Sequence, residues 1–135
     1  IGDTLDFALG LGYRRLYLTG HLGKFVKLAG GIMNTHSASA DGRMEIITAH
    51  AALAGGGASL AKQLMAASTT DQCVELLESA HLRQPVMNSI LQRGVFHLNH
   101  RTQGQIICEL LLFSNQFGPL AFTEGAAELF NLEVG

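Results

Sequence analysis

Tryptophan is absent from this 135-residue chain, proline and cysteine occur twice each, and only 15% of residues are charged. Cys73 and Cys108 lie far apart with no Cys-x-x-Cys spacing, which points to reduced core thiols and away from a disulfide framework or a zinc pair. A net charge of −2 gives no basic field for nucleic acid, so an anion has to be met by a local cluster. No apolar run approaches the roughly 20 residues that cross a bilayer, and the stretch Ile106 to Phe113 is broken by Glu109. What is present is apolar: 47% of residues are hydrophobic, in a length that suits one domain, residues 1–135, with its own core. Ile1 opens the chain with no initiator Met, signal peptide or basic leader, and IGDTLDFALGLG already reads as a helix that follows something upstream. The expectation is a cytoplasmic domain cut from a longer protein.

Hydrophobic periodicity predicts a helix over Thr4 to Leu11 with Asp3 as its cap, then a short buried strand over Arg14 to Thr19. Gly20 is expected to start a turn, followed by helices from Leu22 to Ile32 and from Asp41, as cap, to about Leu53. Gly55-Gly56-Gly57 breaks the pattern. Further helices are expected over Ala58 to Ala67, from Thr70 or Asp71 to about His81, and over Val86 to His97 after Pro85. Ile106 to Phe113 and Leu120 to Thr123 read as a hairpin, and Gly125 to Phe130 as a closing helix. The fold class is therefore mixed, helix-rich α/β: a small sheet from an N-terminal strand and a C-terminal hairpin, with a helical middle.

Polar chemistry concentrates between Gly20 and Arg43, GHLGKFVKLAGGIMNTHSASADGR. At roughly 100° per residue, Lys24, Lys27 and Gly31 share one stripe of the expected helix. Gly30-Gly31 is costly inside a helix; it reads either as room for a ligand or as tight packing and early termination. Gly20 and Gly23 flank a strand-to-helix junction whose free N–H groups favour carboxylate or phosphate, but the phosphate-loop spacing is missing, which excludes nucleotide hydrolysis. Asn34, Thr35, His36 and Ser37 are four consecutive hydrogen-bonding residues. Asn, Thr and Ser are at home in any loop, whereas His36 can carry a proton near neutral pH. Asp41 is a helix cap, an orienting partner for His36, or both. Arg43 shares a face with His50 and is a candidate bidentate carboxylate ligand, while Glu45 points away. A metal site from His21, His36, His50 and Asp41 matches no known ligand spacing, so none is assigned. His81, His97 and His100 read as scattered surface or helix-end residues.

Gly-His-Leu-Gly-Lys, Lys27, Asn-Thr-His-Ser and Ala-Asp-Gly-Arg-Met-Glu, in this order, resemble the signature region of the CbiD family, the cobalt-precorrin-5B C(1)-methyltransferases of anaerobic cobalamin biosynthesis. IGDTLDFALGLGYRRLYLTG before it and IICELLLFSNQFGPLAF near the end resemble the same family, of which this chain is similar to the C-terminal part. The resemblance implies methyl transfer from S-adenosylmethionine to C-1 of a tetrapyrrole, cobalt entering only as part of that substrate. The alternative is a non-catalytic corrinoid- or polyanion-binding or assembly domain. Under the enzymatic reading Lys24, Lys27 and Arg43 bind substrate carboxylates with help from Gly20, Gly23, Asn34, Thr35 and Ser37. His36, then His21, moves a proton, and Asp41 orients it. Partners implied are the tetrapyrrole and the N-terminal part of the same protein, without nucleic acid or membrane; a homo-oligomer stays open. No Gly-x-Gly-x-Gly methyltransferase loop is present, so the donor's position is not legible.

Overall fold

The computed structural model describes residues 2–33 and 41–131. Helix α1 (Gly2–Gly10) leads into strand β1 (Arg15–His21), which passes directly into α2 (Leu22–Ala29). Four more helices follow: α3 (Arg43–Leu53), α4 (Ala58–Ala66), α5 (Thr70–Ser79) and the long α6 (Arg83–Thr102). The chain then returns as β2 (Ile107–Ser114) and β3 (Gly118–Phe122), and ends its described part in α7 (Glu124–Phe130). The expected class holds: a three-stranded sheet in the order β1-β2-β3 with a helical crossover between its first two strands.

β1 and β2 are parallel, in register from Arg15↔Ile107 to His21↔Phe113. Parallel neighbours cannot be joined by a tight turn, and here α2 to α6 make the connection. β2 and β3 form the antiparallel hairpin, its register shifting between Leu112 and Phe113. Alternation along β2 sorts its faces. Cys108, Leu110, Leu112 and Ser114 are buried beneath the helices, while Glu109, Leu111 and Phe113 on the other face are half-buried.

α6 is the spine of the core. Val86, Met87, Ile90, Leu91 and Leu98 are each at most 2% exposed, and α2 lies against this helix with Leu22, Val26 and Leu28 buried. Gly94 faces this contact: a Cβ there would stand 3.6 Å from Leu28 Cβ and 3.7 Å from Leu110 Cδ1, both ordinary packing distances. α1 is fastened to the far end of α6 by Arg101, whose Nη2 and Nε donate to Asp6 at 2.7 and 3.1 Å. α5 starts with a capping box, Thr69 accepting from the Gln72 N–H while Gln72 reaches back.

Several boundaries differ from the sequence reading. β1 runs two residues further than Thr19, so Gly20 and His21 belong to the strand and not to a turn. α2 stops at Ala29, short of Ile32, because Gly30 closes it and Gly31 takes φ +78°. Asp3 lies in the first turn of α1 and not at its cap. Gly42, at φ +97°, is the N-cap of α3 in place of Asp41. α6 is longer at both ends than Val86 to His97, running from Arg83 to Thr102, whose buried hydroxyl donates to the Leu98 carbonyl one turn back.

Candidate functional site

The strand-to-helix junction forms without a linker residue. His21 has extended backbone (φ −65°, ψ 140°), and its Nδ1 accepts the Gly23 N–H at 2.9 Å, capping α2 with an imidazole. A backbone N–H can only donate, so in the neutral ring the proton resides on Nε2. That nitrogen faces Asp71 Oδ1 at 4.0 Å, and this carboxylate oxygen is buried with no hydrogen-bond partner. The ring also meets Phe113, its cross-strand neighbour, edge-on at 5.9 Å between centroids. A Cβ on Gly23 would come within 3.4 Å of Thr70 Oγ1, so the first turns of α2 and α5 adjoin. Both sit at the C-terminal ends of the parallel strands, where open α/β sheets bind their ligands.

Lys24 is exposed beside this junction, but Lys27 is 1% exposed and has an interaction of its own within the protein. The expected basic stripe of Lys24 and Lys27 is therefore not a solvated face. α2 is enclosed by α6, α3, α5 and the sheet, and one turn along the same stripe already lies inside. The Lys27 charge is one of the smaller influences that hold the Asp41 carboxyl below its usual range. The larger causes of that depression are the side-chain and then the backbone hydrogen bonds from Arg43. Arg43 Nε donates to Asp41 Oδ1 at 2.9 Å, and the Arg43 N–H reaches the same oxygen at 3.3 Å. Asp41 thus braces Arg43. Its expected partner His36, with Asn34, Thr35 and Ser37, lies outside the described residues.

Gly30 and Gly31 are accounted for by packing. A Cβ on Gly30 would fall 2.7 Å from Ile46 Cδ1; Gly31 has a positive φ, and a Cβ there would fall 3.2 Å from His97 Cε1. His50, expected on the Arg43 face, is buried and turned to α6, with Nδ1 2.7 Å from Ser89 Oγ. Burial first, and the nearby Arg93 charge second, push its pKa down. His97 is not a plain surface residue: it is half-buried and hydrogen-bonds the Ala29 backbone at the end of α2. Cys73 is buried and its thiol is pushed up to about 11, so neither it nor the similarly raised Cys108 supplies a ready thiolate. Among the described residues no three His, Cys, Asp or Glu side chains gather to hold a metal ion, and no helix is long and apolar enough to cross a membrane.

Two residues of interest escape sequence reasoning. Asp71 is fifty positions from His21, and nothing local announces the meeting. Arg93 shares a helix face with His97 and His100 at spacings of four and seven, a signal hidden when the helix is expected to end at His97.

This geometry is that of a helix-rich α/β domain with a strand-to-helix junction at the C-terminal end of its parallel strands. Residues 34–124 match the family described as CbiD, C-terminal domain, and the chain belongs to that family. It is 43% identical over 115 residues to the cobalt-precorrin-5B C(1)-methyltransferase of Ruminiclostridium cellulolyticum, covering 85% of this chain and 30% of the relative. It is 40% identical over 123 residues to the protein of that name from Tolumonas auensis, covering 89% and 32%. Against the Methanocaldococcus jannaschii protein of the same name it is 38% identical over 103 residues, covering 76% and 28%. The chain thus spans about a third of the length of these relatives. No solved structure matches it.

Proposed function

We propose that this chain is the C-terminal part of a cytoplasmic methyltransferase that converts cobalt-precorrin-5B to cobalt-precorrin-6A by methylating C-1, in cobalamin biosynthesis. The observation that carries the reading is the family membership over residues 34–124, joined to a site in which signature residues stand at the sheet's C-terminal edge. S-adenosylmethionine is the donor: C-1 forms the new bond to the methyl carbon as the sulfur–methyl bond breaks and its electron pair returns to sulfur. The protein's share is to align the two reactants and keep water from the sulfonium.

Lys24 and Arg43 meet substrate carboxylates, with the Gly20–Gly23 backbone shaping the junction; Asn34, Thr35 and Ser37 add hydrogen bonds. Lys27, being buried, acts from behind by its charge near Asp41 and Arg43. His36 takes the proton role. His21 is the second candidate for that role; with Nδ1 accepting from the Gly23 N–H, it offers a ligand its Nε2. Asp41 holds Arg43 in place and orients His36. Tyr17 and Ile107, on the half-open face of the sheet, are 41% and 49% exposed and meet the remainder of the polypeptide, which the relatives carry.

A chimera in which this chain replaces the C-terminal third of the Ruminiclostridium cellulolyticum protein tests the reading. Transfer of the methyl group to cobalt-precorrin-5B is expected, with a loss of about tenfold or more in kcat/KM on Lys24→Ala or Arg43→Ala. An inactive but folded chimera, from a chain that still binds a corrinoid, would favour the non-catalytic binding domain instead.

A further inference from the structure

We propose that the outward face of α6, built from Arg93, Phe96 and His97, binds a planar polycarboxylate through stacking and carboxylate pairing. The proposal rests on the methyltransferase reading for its ligand, a tetrapyrrole ringed by acidic side chains. Its physical basis is independent of that reading.

α6 contains three arginines and two histidines in twenty residues and no aspartate or glutamate. Two of the arginines are neutralised within the protein: Arg83 by Glu78 at 3.3 Å and Arg101 by Asp6 at 2.7 Å. Arg93, between them and exposed, has no acidic partner among the described residues. In a chain of net charge −2 that is a local excess with a definite position. The charged groups bearing on His97 are Arg93 and His100, and the one bearing on His50 is Arg93; no carboxylate figures among them. Helical spacing puts Arg93, His97 and His100 on one face.

The arrangement suits a flat ligand more than a lone anion. The Arg93 guanidinium lies 4.3 Å from the Phe96 ring centroid, which fixes the fork and leaves its N–H edge for bidentate pairing. Phe96 is 51% exposed and meets His97 nearly edge-on, with centroids 5.2 Å apart and an interplanar angle of 79°. A small carboxylate needs only the guanidinium edge. A macrocycle covers the open phenyl surface as well, and removing that apolar area from water adds to the charge pairing. The platform is braced from beneath: His97 bonds the Ala29 backbone and packs on Gly31, and Ser89, one turn before Arg93, holds His50 of α3. It therefore lies against the end of α2, at Ala29 and Gly31.

Absorbance titration of the full chain with cobyrinic acid, a corrinoid polycarboxylate, and with its neutral heptamethyl ester tests this. Arg93→Gln is expected to weaken cobyrinic acid binding about tenfold or more and Phe96→Ala about three- to tenfold. Arg83→Gln, whose arginine is already paired, should stay within about twofold, and the ester should bind more weakly to the wild type and be insensitive to Arg93→Gln. Circular dichroism melting checks that each variant is folded. Equal binding by wild type, Arg93→Gln and Phe96→Ala overturns the platform while leaving the methyltransferase reading standing. Absence of corrinoid binding by the folded wild type overturns the platform, and activity of the chimera then decides the methyltransferase reading separately.

Discussion

At the scale of single residues, His21 shows how one side chain is divided between architecture and chemistry. Its Nδ1 is spent on the Gly23 N–H, one of the donors that a helix start leaves open. His21→Ala should therefore cost about 1 kcal/mol, the usual worth of a lost side-chain cap. His21→Asn restores an acceptor at the same reach and should recover most of that loss while removing the Nε2 group that faces Asp71. Denaturant melts of the three proteins check the energies, and nitrogen NMR of the ring checks the tautomer, which should be Nε2–H. Recovery by Asn without recovery of chimera activity would assign the cap to Nδ1 and the ligand contact to Nε2. Parity of Ala and Asn in stability would refute the cap. The sequence placed His21 in the site but not in this role, because an imidazole as N-cap is uncommon and its partner Asp71 is remote. Lys27 was misplaced for a related reason: helical spacing puts it beside Lys24, but only tertiary enclosure decides which of two neighbours on a stripe reaches water.

Elements were legible where their signals are local. The Gly55–Gly57 break, the α5 start beside Thr69 and the hairpin at Gly118 follow from turn and cap chemistry, and each falls within a few residues of its expected place. The end of α2 was signalled by Gly30-Gly31 as one of two readings left open, whereas the ends of α6, from Arg83 to Thr102, carry no comparable local mark. Gly94 lies within α6. Glycine inside a helix is unfavourable by roughly 0.5–1 kcal/mol relative to alanine, yet a methyl here would make only ordinary contacts with Leu28 and Leu110. Gly94→Ala should accordingly stabilise the chain by up to about 1 kcal/mol. Gly94→Leu should destabilise it by about 1–3 kcal/mol, since the larger side chain must drive α2 from the sheet. Chemical denaturation midpoints at constant slope check both signs. A destabilising alanine would mean that α2 and α6 sit closer in solution than 3.6 Å to the added carbon allows.

For the whole molecule, the asymmetry of the sheet matters most. Its inner face is closed by α2 and α6, whereas the outer face shows Tyr17 and Ile107 in addition to half-buried Leu111 and Phe113. β1 is an edge strand, so its outward backbone groups are open to pairing, with Arg14 and Arg15 exposed at its entrance. Such a face and edge are what a domain presents when another part of the same polypeptide is to cover it, and the relatives carry about two further thirds of chain. Ile107→Lys puts a charge on that face without entering the core, so the isolated chain should melt within about 0.5 kcal/mol of the wild type. The same change should weaken association with the separately expressed N-terminal two-thirds of the Ruminiclostridium cellulolyticum protein by tenfold or more, about 1.4 kcal/mol. Pull-down and analytical ultracentrifugation of the two fragments measure it. Undiminished association of the Ile107→Lys variant would move the contact surface elsewhere, and the α6 face of Arg93 would then be the next to examine, at the expense of its role in holding substrate.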